Sequence, residues 1–441
     1  MTDAIVIGAG VNGLAAAASL AMKGWKVTVF ERADRPGGAA KTLELTEPGF
    51  RHDWGALNLS LFAGSAFHQS HAKTLAEHGL EFVPVADCFC SAFPDGRWLG
   101  VSTDLDLTAA RIAGFSPRDS ETWRHIVAEF GRDAEHIFSV LGTPMTPLKL
   151  AKTGWRLWRA RDAAFLYRLG QLLLSSPRAF LDSRFESDHL KAALAAWGMH
   201  LDFPPDQAGG ALFPYLEAMA NQSFGMVIGK GGSETMVNAL VRLIERHDGR
   251  VETGAEVSSV TTAAGAATGV KLADGREVKA RRAVIANTTP QALVDGLLQG
   301  TSGRASYDRA ARGFRHGPGT FMLHLALDDL PDWAAGAELK RFAYVHLAPS
   351  LHQMATTYVD AMAGLLPREP VLVVGQPGTV DHSRAPAGRH TLWVQVRVVP
   401  GTIAGDAAGE IDARDWDAAK EPFTERVLDI LERYAPGLRA R

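Results

Sequence analysis

The chain has 441 residues, 46% hydrophobic and 22% charged, with a formal net charge of −3 and 44 glycines spread without low-complexity repeats. Those values suit an enzyme of two globular domains and leave no global electrostatic drive toward nucleic acid. The two cysteines, Cys88 and Cys90, are too few and too close for a disulfide scaffold or a metal centre; they read as buried structural residues in a reducing compartment, and no metal is expected.

In chain order, Ala4-Ile5-Val6-Ile7 is the β-branched apolar run of a buried parallel strand, and Asn12 to Lys23 is an Ala-rich helix stopped by Gly24. Between them Gly8, Ala9, Gly10, Asn12 and Gly13 form a G-x-G-x-x-G turn. Gly8 permits the turn, Gly10 lets the backbone approach a pyrophosphate, and Gly13 brings helix against strand, so the helix N-terminus faces phosphate. Trp25 to Phe30 is the second strand, and Glu31 at its end suits the ribose hydroxyls of a dinucleotide better than a 2′-phosphate. The apolar N-terminus begins with Asp3 and carries the fingerprint, so it is not read as a signal peptide.

Thr42 to Thr46 is a short strand, followed by Gly49-Phe50-Arg51-His52-Asp53-Trp54-Gly55. His52 and Asp53 are candidate acid and base, although the favoured reading is a solvated surface loop. Residues 61–225 read as largely helical with few strands. Within them Leu148 to Arg184 carries Trp155, Trp158, Phe165, Leu166, Leu169, Leu172 and Leu173 as an apolar stripe among basic residues, with Gly170 and Pro177 as interruptions. That pattern fits either peripheral contact with a membrane surface or packing on a core. No apolar run is long enough to span a bilayer, so the chain is expected to be cytoplasmic, free or peripheral to the inner membrane face.

From Gly225 the pattern becomes Met226-Val227-Ile228, a Gly229-Lys230-Gly231-Gly232-Ser233 turn, and a helix from Glu234 to His247. Strands at Val251 to Val260, Ala267 to Leu272 and Arg276 to Val278 make a meander returning to a buried strand, Ala283 to Ala286.

The run Glu31-Arg32-Ala33-Asp34-Arg35-Pro36-Gly37-Gly38-Ala39-Ala40-Lys41-Thr42 resembles the second signature of FAD-binding proteins of the amine oxidase and phytoene dehydrogenase superfamily. Relatives often place arginine where this chain has Ala39, which leaves Lys41 or Arg35 to supply the charge. Lys230 to Ser233, Glu256-Val257 and Ala283 to Pro290 resemble the second flavin-domain segment, in which the residue matching Val257 brackets the adenine. Glu369 to Leu372, Pro377, Asp381, Ser383, Ala385-Pro386 and His390 resemble the phytoene dehydrogenase branch, in a part expected to belong to the substrate domain.

The resemblance implies an α/β fold: a Rossmann-type FAD-binding domain (1–60 and 226–300) of parallel sheet plus β-meander, with an α+β substrate domain inserted (61–225 and 301–441). It implies FAD bound by Gly8, Ala9, Gly10, Asn12, Gly13, Glu31, Arg32, Gly37, Gly38, Ala39, Val257 and Ala286. The implied reaction is hydride transfer from an apolar, polyene- or isoprenoid-like substrate to flavin N5, with catalytic residues unassigned. Met322 stands near the place where some amine-oxidising relatives carry lysine, which argues against lysine-assisted amine oxidation; His324 could substitute, although the favoured reading is a core histidine.

Relatives close with a Gly-rich flavin segment, whereas this sequence stops at Tyr434 to Arg441; a fragment, a shortened weak binder and a non-catalytic form are the alternatives that follow. An escort-type binding protein, a flavin amine oxidase and an NAD-dependent dehydrogenase using only the first fingerprint are the other functional readings.

Overall fold

The computed structural model describes residues 2–441. By their internal contacts these form two compact units, Met1–Pro84 with Val227–His316 and Asp381–Ala387, and Val85–Met226 with Gly317–Val380 and Gly388–Arg441. The first unit therefore takes in 61–84, 301–316 and 381–387, segments that sequence reading assigned to the substrate domain. Residues 61–84 go with it because Leu75 and Leu80 are buried in its core cluster. Residues 381–387 go with it because Arg384 pairs with Asp53 and donates to the Gly229 carbonyl, while Asp381 accepts the Gly231 N–H.

The first unit is built on β1 (Thr2–Ile7), α1 (Val11–Ala21) and β2 (Val27–Phe30). Its six-stranded sheet runs Val257–Ala263, Ala266–Leu272, Glu277–Ala286, β1, β2, Arg250–Glu252. Pairing is parallel from Glu277–Ala286 through β1 and β2 to Arg250–Glu252, and antiparallel in the meander at the other edge. Alternation along β1 feeds two cores: Ala4 and Val6 join α1 and the helix Glu234–Arg246, while Ile5 and Ile7 join Phe30, Val270 and Leu272. The third meander strand and the returning strand, read separately in the sequence, are one continuous strand. Its Glu277 half pairs with the meander and its Ala286 half with β1.

The second unit is a two-faced sheet in the order Gly319–Leu327, His390–Val399, Val371–Gly375, Tyr344–Leu347, Asp87–Ala92, Trp98–Ser102. Its last two strands are among the few that interrupt the largely helical stretch 61–225. Asp87–Ala92 is buried on both faces, so it has none of the polar alternation by which a half-buried strand is recognised.

One face of this sheet is apolar through its centre. Leu323, Val394, Val374, Val345 and Cys90 belong to a cluster closed by Phe423, Val427, Ile430 and Leu431 of the helix Trp416–Tyr434. Cys88 and Cys90 are free and buried, and burial pushes the Cys88 thiol up to about 12. Among the described residues no helix is long and apolar enough to cross a membrane.

Candidate functional site

The β1–α1 turn is as tight as its glycines require. A Cβ on Gly13 would lie 2.2 Å from the Gly8 carbonyl oxygen, so any side chain there forces α1 away from the strand. Gly10 is the N-cap of α1 and no side chain caps the first-turn amides, which leaves their partial positive charge for an anion. Asn12 is exposed on that turn and Ala9 is buried behind it.

The paired glycines come to this same place. Gly37 donates its N–H to the Ala9 carbonyl at 2.8 Å and forms an isolated bridge with Gly10, and a Cβ on Gly38 would meet the Gly10 Cα at 3.3 Å. Gly37 has φ +119°, open to glycine alone, and its Cβ would lie 2.8 Å from the Ala40 carbonyl oxygen.

Glu31 is set by the backbone around it. Its Oε2 accepts the Ala9 N–H at 2.8 Å and its Oε1 accepts the Ala33 N–H at 3.0 Å. A carboxylate oxygen has two acceptor sites, so each retains one for a ribose hydroxyl. Ala255 donates to the Glu31 carbonyl at 2.8 Å, which brings Val257, two residues further on, to the same end of the sheet. Ala286 pairs with Ile7. Arg32 and Ala39 are exposed, Ala39 accepting from the Ala56 N–H at 3.0 Å, and Arg35 lines a cleft with Thr42, Arg51 and Glu234.

Asn287, quoted in the sequence only as part of the Ala283 to Pro290 motif, also belongs to this site. Asn287 donates its backbone N–H to the Ile7 carbonyl at 2.9 Å, and its side chain lies 2.9 Å from where a Gly13 Cβ would stand. It fills the space the fingerprint glycines leave, and its position directly after Ala286 was the available signal.

His52 and Asp53 do not lie on a solvated loop. They belong to β4 (Arg51–Asp53), paired antiparallel with β3 (Thr42–Glu44), and both are buried. His52 Nε2 lies 2.8 Å from Thr46 Oγ1. Asp53 Oδ1 accepts from Thr42 Oγ1 at 2.8 Å and from the Ser233 N–H at 2.6 Å, and its Oδ2 accepts from Arg384 at 2.7 Å.

Arg384, 1% exposed, also donates to Asp381 and to the Gly229 carbonyl, each at 2.7 Å. Asp381 in turn accepts the Gly231 N–H at 2.7 Å. Burial works against the Arg384 charge, yet the Asp53 and Asp381 carboxylates raise its pKa above the ordinary value. Asp53 is thus a structural anion that joins the β3–β4 hairpin to the 229–233 loop and the 381–384 turn.

The second unit's sheet carries polar and aromatic groups on its other face. In register across neighbouring strands, one row reads His324, Trp393, Gly375, Tyr344, Phe89, and the next Met322, Gln395, Val373, His346, Ser91. Gly375, lacking a side chain, lets the Trp393 and Tyr344 rings stack across it with centroids 5.7 Å apart. Trp197 of the helix Asp188–Met199 stands edge-on to Phe89 and His346. Met322, His324 and Gln395 remain half-buried, so this end of the face is the open one.

His200 and His346 share a hydrogen bond, Nε2 to Nε2 at 3.2 Å, so one ring donates and the other accepts. Burial depresses both, His346 to about 3, and the neighbouring His346 and Arg397 depress His200 further. These bases bind protons readily only when unfolded. Stability should therefore fall as pH drops below 6.5 toward 3, by up to about 1.4 kcal/mol per pH unit for each group. Chemical denaturation at pH 7.5 and pH 5 should show a smaller loss for H200Q/H346Q than for the parent, and an equal loss would contradict neutral burial. Among the described residues no cluster of three or more His, Cys, Asp or Glu side chains is placed to hold a metal ion.

A family model described as flavin containing amine oxidoreductase matches residues 12–438. The chain belongs to that family. It is 25% identical to the phytoene desaturase (neurosporene-forming) of Cereibacter sphaeroides, over 99% of this chain and 80% of the relative. It is 28% identical to pyridine nucleotide-disulfide oxidoreductase domain-containing protein 2 of Rattus norvegicus, over 99% and 79%. The solved structure of an oxidoreductase from Methanosarcina mazei shares the fold, with a TM-score of 0.62 and 19% identity over 99% of this chain and 85% of that one.

This member of the flavin-containing amine oxidoreductase family is an FAD-dependent oxidoreductase. The residues present fit that cofactor: an uncapped helix N-terminus, two glycine turns in backbone contact and a carboxylate held by two amides.

Proposed function

We propose that the chain oxidises an apolar, polyene- or isoprenoid-like substrate, introducing a double bond. When bound, the flavin supplies the two-electron acceptor for hydrogen removed from substrate carbon. Glu31, Gly10, Gly37 and Gly38 would hold its adenosine and pyrophosphate, with Val257 beside the adenine and Asn287 supporting the turn from beneath.

The observation that carries the substrate class is the two-faced sheet of the second unit. Its open end offers the Met322 thioether beside the buried indole of Trp393, together with the His324 imidazole and the Gln395 amide, and neither row holds an ammonium or carboxylate. Flat aromatic and thioether surfaces favour extended hydrocarbon through area contact, and leave a cationic amine without a counter-charge. The desaturase relatives support the same class.

The test is anaerobic. Phytoene delivered in detergent micelles should bleach the flavin's visible band and give a product absorbing at longer wavelength. Putrescine and benzylamine should leave the band unchanged. Bleaching by either amine and not by the polyene would replace this reading with amine oxidation.

A further inference from the structure

The stripe seen in the sequence over 148–184 divides in the structure. Three helices occupy it, Pro147–Ala160, Ala163–Leu174 and Pro177–Arg184. Asp162 caps the second by accepting the Phe165 N–H at 2.7 Å, so the chain breaks there and Gly170 stays helical. Phe165, Leu169 and Leu172 turn into the core.

The first helix behaves differently. Only Thr153 and Leu157 of Pro147–Ala160 are buried, so a single narrow stripe seats it on the unit. Leu148 is 81% exposed, and Trp155 and Trp158 are each 57% exposed with their rings 5.0 Å apart. At 100° per residue Leu148, Ala151, Trp155 and Trp158 share the side opposite Thr153 and Leu157, flanked by Lys152, Arg156 and Arg159.

The helix contains Lys149, Lys152, Arg156 and Arg159 and no acid at all. Three acids close to it in sequence are engaged elsewhere: Asp133 pairs with Arg161, Glu129 faces His125 and Arg168, and Asp162 serves as a cap. The uncharged turn before the helix adds Met145, 83% exposed.

We infer that the outer face of Pro147–Ala160 is a docking surface for an anionic lipid bilayer. A pair of tryptophans and a leucine enter the acyl boundary while three cations meet headgroup phosphates, and the seated stripe of Thr153 and Leu157 keeps the helix parallel to the surface. Charge decides for lipid over a second copy of the chain: two copies of this face would bring like charges together, whereas an anionic surface neutralises them. The inference stands apart from the substrate reading, because it rests on a surface distant in sequence from every residue placed in the cofactor site.

Co-sedimentation tests it. The FAD-loaded protein should pellet with vesicles containing one third phosphatidylglycerol, poorly with pure phosphatidylcholine vesicles, and less at high salt. K152E/R156E/R159E and W155S/W158S should each lower partitioning by roughly tenfold or more, with flavin content and circular dichroism unchanged. Brominated lipid should quench the parent's tryptophan fluorescence more than that of W155S/W158S.

Three results would overturn the inference. They are failure of the parent to pellet with anionic vesicles, undiminished binding by both variants, and self-association by ultracentrifugation that both variants abolish.

Discussion

Glu31→Ala should purify largely free of flavin. The substitution removes the acceptor of two backbone N–H groups, Ala9 and Ala33, and the group offered to the ribose. Hydrogen bonds to a charged group are worth about 1.5–3 kcal/mol, so losing the ribose contact alone weakens FAD by roughly 10- to 150-fold. The freed Ala9 amide lies inside the glycine turn, and its relaxation would disturb the Gly37 to Ala9 contact as well.

Glu31→Gln keeps one acceptor oxygen and should fall between the parent and the alanine variant. The ratio of flavin to protein absorbance after purification, and titration of stripped protein with FAD, measure both. Stoichiometric flavin in Glu31→Ala would show that the carboxylate has no part in gripping the cofactor.

The second large effect belongs to Arg384→Met. The side chain fits the volume but removes the cation that faces Asp53 and Asp381, leaving two carboxylates nearly sealed from water. Breaking a buried pair from one side costs about 3–5 kcal/mol, because the remaining charge is uncompensated. The denaturation midpoint should fall accordingly.

A merely steric explanation is separable from this one. D53N/D381N/R384M, which withdraws all three charges, should recover a large part of the lost stability, whereas a packing defect would persist in it. A triple variant no more stable than Arg384→Met would refute the electrostatic account.

The comparison of these two sites shows what a linear sequence discloses. The cofactor turn was legible because its parts are contiguous: a β-branched strand, glycines at fixed offsets and Glu31 fall within residues 4–38, and each geometry demands its residue type. The Arg384 network was not legible. Its members come from 53, 229–233 and 381–384, and an Asp-to-Arg attraction leaves no periodicity.

The aromatic rows of the second unit were hidden for a related reason. His324, Trp393, Tyr344 and Phe89 become neighbours only once strand order and register are known. The 148–184 segment was legible as helix, and its break at Pro177 holds, but the other break comes from the Asp162 cap and not from Gly170.

The long strand Glu277–Ala286 has a consequence for synthesis. β1 finds its nearer partner, β2, within some twenty residues, but the strand that covers its other edge emerges about 280 residues later. At translation rates of about 5–20 residues per second, that interval lasts roughly 15–55 s. Until that strand arrives, the second edge of Ala4-Ile5-Val6-Ile7 lacks its native partner and is a template for mispairing.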